Sequence, residues 1–262
     1  MEYPALAELI KTISILRSEN GCSWDREQTH ASLRHNMVEE AYEAIDAINS
    51  GDMNHLKEEL GDVLLQVVLH AQIAKEEGYF DIEDVAKRLN DKLIHRHPHV
   101  FGNVKVNGTD DILANWDKLK AEEKPHRKSL MDGISKSQSA LMSAQKISCK
   151  AVKVGFEWQS DEQLKECIMS EFKEFDEAKT YDEKEEEFGD ILFAVVNLAR
   201  RNQIDAEQAL IRSNTKFMKR FRTMEELAKK PLTELTFDEW DALWKKAKKS
   251  VSDDVAIDVK AD

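Results

Sequence analysis

Apolar positions recur every three to four residues along most of this chain, the spacing of helices that bury one face. In the first half the pattern predicts helices over about residues 3–18, 30–49, 53–77, 82–95 and 110–123. NSGDM (49–53) and GYFD (78–81) interrupt it, with Asp52 placed to cap a helix start and Gly78 to end one. Connections this short make neighbouring helices antiparallel, which predicts a helical bundle. With only four prolines and nine glycines, a fold of many strands and tight turns is excluded, so the class is all-α.

The same pattern then runs a second time. GCSWD (21–25), VEEAYEA (38–44), EELGDVL (58–64), NDKLIHR (90–96) and NWDKLK (115–120) return in order as GFEWQ (155–159), MSEFKEF (169–175), EEFGDIL (186–192), NTKFMKR (214–220) and LWKKAK (243–248). Five blocks in one order point to a duplicated domain. The copies are expected over residues 1–123 and 140–249, joined by a linker at 124–139 where proline, glycine and serine collect. A polar, frayed tail is expected from 250 to 262.

Charge narrows the partners. A net charge of −13 argues against nucleic acid, and the one basic run, KKAKK (245–249), has acidic neighbours. No apolar run reaches the roughly 18 residues needed to cross a membrane. Three widely spaced cysteines form neither a disulfide framework nor a zinc pattern, so the expected compartment is a reducing cytoplasm.

The acids carry the chemistry. Glu40 and Glu43 are three apart on one helix, Glu59 and Asp62 three apart on the next, and antiparallel packing brings the four together. Their counterparts are Glu171, Glu174, Glu187 and Asp190. Two carboxylates about 4 Å apart repel by roughly 4 kcal/mol at an effective dielectric near 20. Such a group takes up protons or a cation, and oxygen-only ligands suit Mg²⁺, with Mn²⁺ as substitute. A di-iron site would place a histidine where Asp62 stands, and iron is the weaker fit. Gly61 and Gly189, inside these acidic entries, suggest close approach by backbone, metal or ligand. Lys92 with Arg96, and Lys216 with Arg220, lie four apart in both copies and form a candidate phosphate clamp. The tryptophan pairs Trp24/Trp158 and Trp116/Trp244 are expected as core anchors, one of which can cover a base or ribose.

EExxE, ExxD, GCxWD, KLIxRHPHVFG and VGFxW together closely resemble the MazG family over about residues 5–249, in its tandem-domain form. The resemblance implies an all-α homodimer of two tandem MazG-like helical bundles. It implies Mg²⁺-dependent hydrolysis of NTPs and dNTPs between the α and β phosphates, giving monophosphate and pyrophosphate. It further implies nucleotide house-cleaning, with a link to starvation signalling. Metal ligands then fall on the two quartets, phosphate contacts on Lys92, Arg96, Lys216 and Arg220, and a nucleotide contact on Trp244. In such tandem chains the second copy is usually credited with hydrolysis. Ser170 departs from the pattern, since the first copy has Glu39 there, a candidate general base. His95, Ser23, Ser135 and Ser139 also depart from it, without removing a metal ligand. Ser170 sustains an alternative: a regulatory helical dimer that binds nucleotide and metal without turnover.

Overall fold

The computed structural model describes residues 3–252, and these form two compact units, up to Lys124 and from Pro125 onward. The first unit contains α1 (Pro4–Leu16), α2 (Ser23–Glu27), α3 (Arg34–Ser50), α4 (Met53–Glu76), α5 (Ile82–Arg96), α6 (Pro98–Phe101) and α7 (Thr109–Glu122). The second contains α8 (Ala140–Val152), α9 (Asp161–Glu177), α10 (Tyr181–Arg201), α11 (Ala206–Leu227) and α12 (Phe237–Ser252), with a 3₁₀ turn at Leu232–Glu234. Among the described residues there is no strand, so the chain is all-α.

Local chemistry explains where the helices start and stop. Asp52 accepts hydrogen bonds from the backbone N–H of Asn54 (2.9 Å) and His55 (3.1 Å) and caps α4. Thr180 stands at the matching position before α10, in a capping box with Glu183. Gly78, at φ +78°, ends α4 with the Tyr79 N–H donating back to the Ala74 carbonyl at 2.9 Å. The helix predicted from residue 30 begins only at Arg34. Before it, Thr29 and Ser32 each donate a backbone N–H to the other's hydroxyl, at 3.0 and 3.1 Å, a local alternative to helix. The short α2 and α6 contain too few residues to show a period. Residues 250–252, expected as tail, continue α12, and 253–262 lie outside the described residues.

In the first unit Ile13 of α1, Leu33 and α4's Val68, Leu69 and Ile73 make one buried cluster. Arg17 secures it by donating to both Glu76 carboxylate oxygens at 2.8–3.1 Å and to the Gln28 carbonyl at 3.2 Å. In the second unit Leu164 and Ile168 of α9 pack on Ala194 of α10. There Arg200 and Arg201 bind Glu157 and Asp161, which ties the segment before α9 to the end of α10. The expected pair Trp24 and Trp158, one in each unit, does not anchor the cores: Trp24 is 58% exposed and Trp158 36%. Their segments are held by arginine ion pairs and backbone hydrogen bonds, which leave the rings outside.

Candidate metal centre

α3 packs along α4, and α9 along α10, so each pair carries its acids on facing sides. In the first unit Glu40, Glu43 and Glu59 each bring a carboxylate oxygen within 4.8 Å of the others. In the second the corresponding triad is Glu171, Glu187 and Asp190. The expected quartets are therefore triads with a near neighbour, and the neighbour differs. Asp62 stays outside the first triad yet acts on it through its charge. Glu174 stays outside the second, where its Oε1 accepts a hydrogen bond from Ser170 Oγ at 3.0 Å.

The carboxyl of Glu40 is held above the usual range by partial burial, then by the charges of Asp62, Glu39 and Glu59. Glu43 is raised by desolvation, then by Glu59, Glu40 and Glu39. In the second unit Glu187 is raised by desolvation, then by Glu174, Asp190 and Glu171. Cys167, a turn before Glu171, donates its thiol to Glu171 Oε1 at 3.5 Å, and burial pushes its own pKa up.

Glu59 shows what these acids fit. It is 7% exposed; one oxygen lies 3.0 Å from His55 Nε2, while Oε2 is buried without a hydrogen-bond partner. A buried carboxylate oxygen with no donor carries a full desolvation penalty, which a cation offsets. Gln66 adds a buried unpartnered Oε1, while its Nε2 sits 3.5 Å from Glu40 Oε1. Carboxylate oxygens outnumber the donors here, His55 and Gln66, and two buried acceptors are left unpartnered, so the residues suit a hard divalent cation. Sequence reasoning missed His55 and Gln66, four before and seven after Glu59, though both spacings lie on Glu59's helix face.

Other expected site residues stand differently. Glu39 is exposed and lies 3.7 Å from His35, outside the triad. Of the approaches expected at Gly61 and Gly189, by backbone, metal or ligand, the first is overturned: a Cβ at either would meet no atom from beyond its own stretch of helix within 4 Å. Lys92 and Lys216 are exposed. Arg96 is buried at 8% exposure, stacks on Trp116 at 5.1 Å and is bound by Glu123 of the segment ending α7. Arg220 stacks on Trp244 at 5.7 Å, and Phe217 flanks the same ring at 5.3 Å.

Comparison with known proteins identifies the family. The MazG nucleotide pyrophosphohydrolase domain matches residues 28–101 and 159–224, segments holding both acid sets and both Lys/Arg pairs. A Thermotoga maritima protein named nucleoside triphosphate pyrophosphohydrolase/pyrophosphatase MazG is 49% identical over 92% of this chain and 94% of its own. An Escherichia coli nucleoside triphosphate pyrophosphohydrolase is 40% identical over 90% of this chain and 93% of its own. Bacillus subtilis YabN, named as uncharacterized, is 47% identical over 95% of this chain but 52% of its own length.

Proposed function

Because this chain belongs to the MazG nucleotide pyrophosphohydrolase family, we propose that it hydrolyses nucleoside triphosphates, NTPs and dNTPs, between the α and β phosphates. The observation that carries this reading is the buried, unpartnered Glu59 oxygen in a triad of carboxylates, repeated as a triad in the second unit. Glu40, Glu43 and Glu59 with Asp62, and Glu171, Glu187 and Asp190 with Glu174, hold a divalent cation. Mg²⁺, or Mn²⁺ in its place, supplies charge neutralisation for a triphosphate and a polarised water when bound.

The chain's own residues then divide the work. Exposed Lys92 and Lys216 place point charges for phosphate oxygens, and Arg220 offers a guanidinium that lies over Trp244. Trp244 gives a nucleotide's ring an apolar face, and exposed Trp24 offers a second one in the first unit. Glu39 is the candidate to take the proton from water as it attacks the α phosphorus, with pyrophosphate leaving. A dimer of two such chains fits the apolar side chains that α9 and α10 leave exposed, among them Met169, Phe172 and Phe188. Among the described residues no helix is long and apolar enough to cross a membrane. The proposed activity would serve the house-cleaning of a cytoplasmic nucleotide pool, with a link to starvation signalling.

Ser170 favours a second reading for the second unit, nucleotide binding without turnover, because no acid stands there and the serine holds Glu174 aside. Product analysis decides. With Mg²⁺, each NTP and dNTP is expected to give monophosphate and pyrophosphate, and chelation to stop the reaction. Diphosphate plus orthophosphate would overturn the reading; metal-dependent binding without products would select the regulatory one.

A further inference from the structure

We propose that Glu123 is a built-in occupant of the first unit's phosphate clamp, a carboxylate that holds Arg96 where a phosphate would and leaves Arg220 as the open guanidinium. This rests on reading the two Lys/Arg pairs as phosphate contacts. Arg96 Nε donates to Glu123 Oε1 at 3.0 Å and its Nη2 donates to Oε2, a two-pronged grip of the kind guanidinium groups use on phosphate. His95 Nδ1 lies 3.2 Å from the same Oε1, so a second nitrogen, from the residue next to Arg96, is turned toward this acid. Only 8% of the Arg96 side chain is exposed, and Trp116 covers a ring-sized face of it. Arg96 holds the Glu123 carboxyl down at about 2, so the acid stays ionised, and Arg96 neutralised, throughout the physiological range.

The second unit keeps the stacking and, among the described residues, lacks the acid. Arg220 lies over Trp244 as Arg96 lies over Trp116, but its Nε is buried with no hydrogen-bond partner among the described residues. Glu123 stands seven residues after Trp116, and seven after Trp244 the sequence has Val251, which carries no charge. A polyphosphate reaching Arg96 must displace a carboxylate or sit beside one of its own sign. At Arg220 it meets a guanidinium that no carboxylate among the described residues already holds. An alternative role, Glu123 as a clip fastening α7 to α5, predicts no gain in anion affinity when its charge is removed.

The test uses the full chain with Lys216→Ala and Arg220→Ala, which removes the second unit's clamp, and titrates Mg²⁺ with pyrophosphate by calorimetry. Adding Glu123→Gln, and separately Glu123→Ala, is expected to tighten pyrophosphate binding by about tenfold. Unchanged or weaker binding in variants that keep the parent's melting curve would overturn the proposal. Arginine Nε–H NMR on the unaltered chain gives a measurement independent of how those variants fold. There pyrophosphate is expected to shift the Arg220 signal and leave Arg96 in place, and the reverse would also overturn it. If neither arginine responds and Arg220→Ala leaves binding unchanged, the clamp reading itself fails. A responsive Arg220 with no gain in the Glu123 variants removes only this inference.

Discussion

The two units use one spacing of acids to build two different sites. In the first, Glu59 is almost fully withdrawn from water, with His55 on one oxygen and nothing on the other. In the second, Glu187 is half-buried, Asp190 is exposed, and the position matching His55 is Glu183, which is engaged in capping α10. The fourth acid also differs: Asp62 is left out of one triad, and Glu174, held by Ser170, out of the other. A shared motif therefore fixes which faces meet, while residues outside the motif decide which oxygens converge. The clamps follow the same rule, since equivalent arginines stack on equivalent tryptophans and differ through one acid at the edge of α7.

The strongest way to break this comparison is to remove one ligand from each triad. Glu187→Ala is expected to lower nucleoside triphosphate hydrolysis by about a hundredfold or more, as for loss of a group that stabilises transition-state charge. Glu59→Ala removes a smaller share, because the first unit's arginine is already occupied. Initial rates with Mg²⁺ check both, and full activity in Glu187→Ala would place turnover in the first unit. Next come the cores. Leu33→Ala and Leu164→Ala, at 1% and 0% exposure, should each lose about 2–5 kcal/mol of stability in scanning calorimetry.

Acid titration separates the clamps more finely. Glu123 has a folded pKa of about 2 against an ordinary value near 4.5, so its contribution is complete above the ordinary value and lost as pH falls toward 2. The chain is thus expected to lose stability through that window, and Glu123→Gln to lose less, as followed by circular dichroism. Replacing Thr180 by alanine removes the hydroxyl of α10's capping box and should lower stability by about 1 kcal/mol. That smallest change tests whether the helix start helps to place Glu187.

Much of this was legible in the sequence because helices write their buried faces at fixed intervals. The long helices, the Asp52 cap, the Gly78 stop and the pairing of acids three apart all follow from that periodicity. What escaped depends on side-chain direction and on distant partners. Spacing places Asp62 and Glu174 on the right faces, but neither joins its triad, and Glu174 is instead hydrogen-bonded by Ser170. Of the approaches that the glycines at 61 and 189 suggested, that of another stretch of backbone is absent, since open space surrounds both. Trp24 looked like core by its chemistry, yet Arg17 holds its segment through backbone carbonyls and leaves the ring outside. Glu123 lay 27 residues from Arg96, a pairing that local pattern does not announce.

The turn at Gly51 and Asp52 joins α3 directly to α4, so every acid from Glu40 to Asp62 belongs to one helical hairpin. Contacts so close in sequence form early, before those that need long loops to close. The hairpin therefore meets its own charge repulsion near the start of folding, with little hydrophobic core yet assembled to oppose it. Counterions acting at that moment change the rate at which the chain folds more than the rate at which it unfolds. The arrangement that equips the finished protein for a cation also sets the tempo of its assembly.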